Sequence, residues 1–395
     1  MSIDKFLTGR FTGLPIFILV MMTVFYLTFN VLGKLLSNLL SAAIDNTVEI
    51  ISLALLRADV NPAFHELVVN GVCAGVGSVL SFIPIIAVLF FFLSILEESG
   101  YLPKVAVLMD KPMMKIGLSG RCVVPMIMGF GCAVPAVLTA GSLLTERERR
   151  TTIAMIPFMS CSAKLPIYAV FTTVFFTSHR ALAMAGIYAT GVVVAVLYAL
   201  ITKPKISEVP LCNRKAPRTH YRFPNMRIVF GAVWLNVRGF IRKAFTVIFM
   251  ASVIVWFLQS FDSNMNMVAD SSHSLLALMG KLAAPIFAPL GFGDWRAASA
   301  VIAGLSAKEA VVSTFSVLSA AEGGSMTAML SEIFSPLSAF SFMSFCLLYI
   351  PCIATLTAVR QQTGSWRLSI RMILSQTAIA WASAFIIYNI GSLLL

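Results

Sequence analysis

Charged residues are scarce in this 395-residue chain, at 12% against 58% hydrophobic residues. So few charges cannot cover the surface of a soluble protein of this length, and the composition predicts a polytopic all-α membrane protein. Acidic residues are the scarcer kind, 17 against 29 Lys and Arg, which gives a formal net charge of +12. The basic residues gather in a few loops between apolar runs, so they predict membrane orientation rather than nucleic-acid binding.

Three kinds of site are missing from the sequence. A phosphate-binding loop needs Gly-Lys followed by Ser or Thr, but Gly33-Lys34 and Gly280-Lys281 are each followed by leucine, so we expect no GTP or ATP site in this chain. The four histidines lie in or near loops, which excludes a His-rich zinc site. The seven cysteines are odd in number and lie mostly inside apolar runs, so no disulfide framework is expected. We expect no permanently bound cofactor.

The apolar runs are long enough to predict about seven spanning helices. These runs are 14–39, 68–96, 151–176, 181–202, 240–261, 340–359 and 373–394. The segment 45–66 has four acidic residues and only Arg57 as a basic one, so we place it outside. The segment 203–227 has seven basic residues and a single acid, Glu208, so we place it in the cytoplasm.

Two further apolar segments are predicted to be re-entrant hairpins. The segment 121–142 has basic residues on both sides, and both flanks therefore belong to the same face of the membrane. A weak internal repeat aligns Gly129 with Gly304 and makes 296–320 a second hairpin, which enters from the opposite face. The chain thus reads as an inverted repeat, an arrangement that places the substrate site near the middle of the bilayer.

This reading divides the chain into four parts. Residues 1–67 form an N-terminal span with an external amphipathic segment, and residues 68–202 form the first repeat. Residues 203–239 form a basic cytoplasmic linker, and residues 240–395 form the second repeat.

Three cysteines lie where Gly or Pro weakens the backbone ladder: Cys132, Cys161 and Cys352. Opened backbone survives in a membrane only inside the protein or beside a water-filled cavity, so these positions are expected to line a pathway. A membrane cysteine is often only a small hydrophobic residue. Thiols combined with opened carbonyls are, however, ligands for a soft or borderline divalent ion such as ferrous iron, and we predict that these three bind the metal.

Other residues are expected to support the pathway rather than to bind the ion directly. They are Gly129, Gly131, Ser160, Ser162, Lys164, Glu97, Glu98, Lys308 and Glu309. Ionisable residues at membrane depth are costly and usually functional. Lys308 and Glu309 form either a local ion pair or part of a gate, and the pair Glu97-Glu98 either attracts cations or merely ends a helix.

Six motifs carry a resemblance to a known family. They lie at 10–17, 96–101 (Leu-Glu-Glu-Ser-Gly-Tyr), 129–135 (Gly-Phe-Gly-Cys-Ala-Val-Pro), 157–166 (Pro-Phe-Met-Ser-Cys-Ser-Ala-Lys-Leu-Pro), 307–309 (Ala-Lys-Glu) and 349–352 (Tyr-Ile-Pro-Cys). The chain resembles the membrane domain of ferrous iron transport protein B, with its two Gate regions. Ala133 and Gly141 depart from the residues common in that family, Asn and Arg.

The resemblance implies a multi-pass protein of the bacterial inner membrane that imports Fe²⁺, with Cys132, Cys161 and Cys352 on the ion path. The family usually carries an N-terminal GTPase domain, whereas this sequence begins at the first span. Either a separate GTPase subunit completes the protein, or the protein works without GTP. A small SH3-like accessory protein and a second copy of the chain are the other candidate partners.

Two alternatives stay open from the sequence. The hairpins and the inverted repeat are similar to the arrangement of concentrative nucleoside transporters, so a nucleoside or another small organic solute is the second candidate substrate. A membrane-embedded thiol enzyme with Cys132 as nucleophile is less well supported, because no nearby histidine or other base would activate the thiol. We therefore predict a transporter and not an enzyme.

Overall fold

The computed structural model describes residues 12–58, 64–65, 67–203, 222–243, 249–263, 266, 268, 271–321 and 323–394. These residues form helices and their connections, with no β-strand in the described ranges, and the prediction of an all-α membrane protein is confirmed. Most of the predicted linker, 204–221, lies outside the described residues.

The described helices are numbered here in chain order. They are α1 (Gly13–Arg57), α2 (Ala74–Glu98), α3 (Tyr101–Lys115), α4 (Val123–Gly131), α5 (Ala133–Ala140), α6 (Glu146–Met155), α7 (Leu165–Phe175), α8 (Arg180–Ile201), α9 (Met226–Lys243), α10 (Phe249–Ser260), α11 (Leu275–Phe287), α12 (Trp295–Ala303), α13 (Ala310–Ala321), α14 (Met326–Ile333), α15 (Pro336–Leu348), α16 (Ile353–Thr363) and α17 (Trp366–Leu394).

Five helical runs in the described part of the chain are long and apolar enough to cross a membrane. They are Gly13–Arg57, Glu146–Phe175, Arg180–Ile201, Pro336–Thr363 and Trp366–Leu393. Two bent pairs bring the number to as many as seven if each pair is one span. The expected number of spans agrees with this range.

The two bent pairs turn at glycines. Helices α2 and α3 meet at 78°, and α11 and α12 meet at 104°. Gly100 and Gly291 lie in these turns with φ of +80° and +87°, a conformation that residues with a Cβ rarely adopt. Both turns therefore depend on glycine for the change of chain direction.

The chain divides into two compact units. One comprises Met1–Ile156 with Val196–Phe249, and the other comprises Pro157–Ala195 with Met250–Leu395. The four-part division expected from the sequence remains a prediction.

Helix α1, in the first unit, has 45 residues and is longer than the sequence led us to expect. A span was expected to end near residue 39, but the helix continues to Arg57, through a π-helical turn at Leu27–Leu32. No glycine or proline follows Gly33 in this helix, so nothing in the sequence interrupts it.

Small residues let α1 pack closely against α2. Ser37 Oγ donates a hydrogen bond of 2.6 Å to the carbonyl oxygen of Ser81, and the hydroxyls of Ser41 and Ser81 lie 2.9 Å apart. A Cβ on Gly33 would lie 3.3 Å from Cα of Ile85. Residues 33, 37 and 41 share one helix face at four-residue spacing, so this face is a small-residue interface of the kind that joins membrane helices.

An aromatic cluster forms the core of the second unit. The Phe171 and Phe342 rings stack with centroids 5.0 Å apart, and Phe292 meets Phe342 edge-on at 5.2 Å. Phe315 and Phe334 complete the cluster, and all five rings are at most 3% exposed. The cluster fixes α7, α13 and α15, the helices that enter or leave the backbone breaks of this unit.

Candidate functional site

Three of the backbone breaks in the described part of the second unit lie close together. The first spans 159–164, between the 3₁₀ turn Ile156–Phe158 and α7; the second is 304–309, between α12 and α13; and the third is 349–352, between α15 and α16. In the third break Tyr349 has an extended conformation with ψ of 172°, and Cys352 has a non-helical ψ of 155°. Pro351 explains this break, because proline has no N–H and disfavours a helical conformation in the preceding residue.

Lys164 connects the first break to the end of α15, where the third break begins, through hydrogen bonds. Its Nζ donates hydrogen bonds to the carbonyl oxygens of Leu347 at 2.6 Å, Pro157 at 3.2 Å and Met159 at 3.3 Å. The side chain is only 4% exposed. Carbonyls at the end of a helix have no partner within that helix, so the ammonium group satisfies acceptors that would otherwise be unpaired in a buried place.

Lys308 connects the second break to the third through a hydrogen bond and a contact with an aromatic ring. Its Nζ donates a hydrogen bond of 2.7 Å to the carbonyl oxygen of Ile350 and lies 3.2 Å from the centroid of the Tyr349 ring. The side chain is 3% exposed. The Ile353 N–H also donates to the carbonyl oxygen of Leu305 at 3.3 Å, so backbone as well as side chain joins these two breaks.

A glycine permits this close approach. The Tyr349 hydroxyl donates a hydrogen bond of 3.3 Å to the carbonyl oxygen of Val301, and a Cβ on Gly304 would lie 2.4 Å from that hydroxyl. Gly304 is therefore needed where α12 ends against the third break. The three breaks of this unit converge on one place.

The two thiols predicted in this unit lie at the convergence. Cys161 and Cys352 are both partly exposed, and Cys161 interacts electrostatically with Cys352, Lys164, Lys308 and Glu309. The Sγ of Cys352 lies 3.2 Å from Oγ1 of Thr355. The prediction that thiols accompany opened backbone thus has a structural basis at these two positions.

Lys308 and Glu309 do not form the local ion pair that was one reading of the sequence. In the described part of the chain no ion pair joins them, and the lysine instead contacts the third break. Glu309 is partly exposed, and its carbonyl oxygen accepts hydrogen bonds from the N–H groups of Val312 and Ser313 at the start of α13.

The two serines near Cys161 differ in their roles. Ser160 is buried, and its hydroxyl donates a hydrogen bond of 3.3 Å to the Tyr168 hydroxyl. Ser162 is partly exposed and begins the 3₁₀ turn Ser162–Lys164. Only Ser162 is therefore accessible among the two hydroxyls that the sequence indicated.

Cys132 belongs to the first unit and marks the break expected there. It has an extended conformation (φ −150°, ψ 130°) between α4 and α5, and it is partly exposed. Gly129 and Gly131 are buried, and a Cβ on Gly131 would lie 2.7 Å from Leu89 Cδ2. Gly131 lets α4 approach α2 closely, while Cys132 interrupts the helix. The re-entrant course of this segment stays a prediction.

The acidic pair at the end of α2 is divided between two environments. Glu98 forms an ion pair of 2.7 Å with Arg222, whose Nε also donates to the Glu98 carbonyl oxygen at 3.1 Å. Glu97 is exposed. Of the two carboxylates, Glu97 is the one open to an arriving cation.

Sequence reasoning did not find the backbone acceptors of Leu347 and Ile350 or the ring of Tyr349. A carbonyl oxygen has no sequence signature of its own, and Pro351 is the signal that could have located this group. Among the described residues no group of three or more His, Cys, Asp or Glu side chains is placed to hold one metal ion. The three-cysteine metal site therefore stays a prediction.

Broken membrane helices whose unwound segments meet in the interior are a feature of polytopic α-helical transporters, in which such segments form substrate sites. Comparison of the sequence with protein families then gives the family. The chain belongs to the Gate family, described as nucleoside recognition, whose model matches residues 79–175 and 241–366.

Individual relatives are similar over almost the whole chain. The chain is 39% identical over 392 residues to "Fe(2+) transporter FeoB" of Staphylococcus aureus (strain MSSA476). The matched region covers 99% of this chain and 59% of the relative. It is 35% identical over 402 residues to the protein of the same name from Methanocaldococcus jannaschii, again 99% of this chain and 59% of the relative. The resemblance noted from the motifs is thereby confirmed.

A third relative has an additional part. A "Fe(2+) transport protein A/Fe(2+) transporter FeoB fusion protein" of Porphyromonas gingivalis is 31% identical over 443 residues, covering 99% of this chain and 51% of the relative. The chain thus spans between half and two thirds of these relatives. No solved structure matches it significantly.

Proposed function

We propose that this chain carries ferrous iron across the bacterial inner membrane into the cytoplasm. The observation that carries the proposal is the 39% identity, over nearly the whole chain, to a protein named Fe(2+) transporter. The relatives are longer than this chain, so their activity is proposed for it on the strength of the shared part.

The geometry of the second unit supports the same substrate. Cys161 and Cys352 lie on two converging breaks and are both partly exposed. Ferrous iron is a borderline cation that accepts thiolate sulfur as well as oxygen, and unwound backbone beside the thiols supplies carbonyl oxygens. We assign Cys161 and Cys352 as ligands on the ion path, with Cys132 as a further thiol at the break of the first unit.

Transport of this kind needs no permanently bound cofactor and no covalent step on the protein, so the iron is cargo and the protein is not an enzyme. A small accessory protein is a fitting partner, and the relative whose name joins transport protein A to the transporter supports it. A separate GTPase subunit and a homo-oligomer remain part of the proposal.

Uptake of radioactive Fe²⁺ into proteoliposomes tests the proposal. We expect the reconstituted chain to accumulate iron, and we expect Cys161→Ser, Cys352→Ser and Cys132→Ser each to lower the initial rate at least about tenfold, because a hydroxyl is a poor substitute for a thiolate ligand. Cys73→Ser is the matched control, since Cys73 is also partly exposed but lies outside the breaks.

Two results would contradict the assignment. Uptake that is equal in all four variants would remove the thiols from the pathway. Uridine uptake by the same vesicles without iron uptake would favour a nucleoside as the substrate, in line with the Gate family's description, nucleoside recognition.

A further inference from the structure

Two buried lysine side chains lie near the thiols of the second unit. Lys164 and Lys308 are 4% and 3% exposed, and Cys161 interacts electrostatically with both. In the described part of the chain no carboxylate lies within 4 Å of either ammonium group. Glu309 is the acidic side chain that interacts with Lys308 over a longer distance.

The contacts of both lysines favour the charged form. Lys164 has three donor hydrogens and three carbonyl acceptors. Lys308 has a carbonyl acceptor and the face of the Tyr349 ring, which attracts a cation. With both lysines protonated and both thiols not ionised, two ammonium groups against one carboxylate give the convergence of the breaks an excess of positive charge.

This charge matters for any cation that arrives at Cys161 or Cys352. Repulsion between like charges is strong away from water, and a fixed positive group in a pore is a known type of barrier to cations. Na⁺, Mg²⁺ and Ca²⁺ are hard ions that prefer oxygen ligands and gain little from sulfur. Ferrous iron gains a bond to sulfur that offsets the repulsion.

We propose that Lys164 and Lys308 determine specificity at this site: their buried charges reject hard cations and admit a cation only when it bonds to the sulfur of Cys161 or Cys352. The proposal deepens the proposed function and rests on it. The proposal gives a role to two buried lysines that binding of the ion by thiols does not require.

The test separates the charge of each lysine from its hydrogen bonds. Lys164→Gln and Lys308→Gln keep an N–H donor for the carbonyl acceptors but remove the charge, whereas Lys164→Arg and Lys308→Arg keep the charge. Lys281→Gln is the matched control. Lys281 also donates to a carbonyl, that of Ser272 at 3.1 Å, and lies 5.4 Å from the Trp295 ring, but it is exposed.

The measurement is the flux of Ca²⁺ and of Fe²⁺ into proteoliposomes that contain the 395-residue chain. We expect the two Gln variants to raise the ratio of Ca²⁺ flux to Fe²⁺ flux at least about tenfold, with the Arg variants and the Lys281 control at the wild-type ratio. A wild-type Ca²⁺ flux in folded Gln variants overturns the proposal, and so does an equal rise in the Arg variants.

Two features keep the outcome decisive. Lys164 holds three carbonyls and Lys308 holds one, so Lys308→Gln is the variant that retains its fold if Lys164→Gln does not. If the wild-type chain transports no iron, the proposed function fails, and the Ca²⁺ flux compared between Gln and Arg variants still supports or overturns the charge barrier.

Discussion

The ammonium group of Lys308 lies 2.7 Å from the carbonyl oxygen of Ile350. A side chain from one unwound segment thus satisfies a backbone acceptor of another. Lys164 does the same for Leu347 at 2.6 Å. Both acceptors flank the point where α15 gives way to the break before Cys352. Two lysines 144 positions apart in the sequence thus stabilise one opening in a membrane helix.

Replacing Lys164 by methionine is expected to destabilise the protein. The change leaves the carbonyl oxygens of Pro157, Met159 and Leu347 without their donor in a buried place, and each unsatisfied group costs on the order of 1 kcal/mol or more. We expect the free energy of unfolding to fall by about 3 kcal/mol. Denaturant titration in detergent measures it, and Lys281→Met, at an exposed lysine, is expected to change it little.

Gly304→Ala is expected to disturb the third break. The new methyl group would lie 2.4 Å from the Tyr349 hydroxyl and 2.5 Å from Cγ2 of Val311, so the tyrosine ring must shift. We expect a loss of about 1–3 kcal/mol in stability, typical of overpacking, together with slower iron uptake. Gly231→Ala in α9 meets no atom within 4 Å and should leave both quantities unchanged or raise stability slightly; equal losses in the two variants would contradict the packing argument.

Arg222→Ala tests the ion pair with Glu98. Arg222 is 67% exposed and Glu98 is 16% exposed, so water and salt screen much of their attraction. The expected loss of stability is below about 1 kcal/mol and should shrink as ionic strength rises. Thermal unfolding at low and high salt measures it; a large loss that does not depend on salt would show that Arg222 acts by packing instead.

The inverted repeat makes a prediction about topology. Cys212 lies in the segment 203–227, which its positive charge places in the cytoplasm, whereas the C-terminus is expected outside. A membrane-impermeant thiol reagent should label Cys212 from the cytoplasmic side only. In a variant without native cysteines, Ser392→Cys should react from the outside, and labelling of that position from the cytoplasm would break the scheme.

The sequence located the breaks better than it located their partners. Gly-Phe-Gly-Cys predicted the interruption at Cys132, and Pro351 was noted beside Cys352, because glycine and proline act on the local backbone. The acceptors of Lys164 and Lys308 depend on how distant segments pack, and their carbonyl oxygens exist in every residue. Likewise Arg222, 124 positions from Glu98, gave no sequence signal for the pairing.

The length of α1 was underestimated for a related reason. Polar residues after position 44 suggested that the first helix had left the membrane. Such residues indicate that the chain is in water, but they do not indicate that the helix has ended. The helix itself ends only at Arg57, since no glycine or proline lies between Gly33 and that residue. Composition thus predicts where a helix leaves the apolar layer more directly than where it ends.

X-ray absorption at the iron edge, on the chain loaded with Fe²⁺ under anaerobic conditions, tests most directly whether thiols on converging breaks hold the ion. Our account predicts a sulfur shell around the iron in the wild type and in Cys73→Ser, and its loss in the double variant Cys161→Ser and Cys352→Ser. A shell of oxygen and nitrogen alone in the wild type, or a sulfur shell that persists in the double variant, would contradict it.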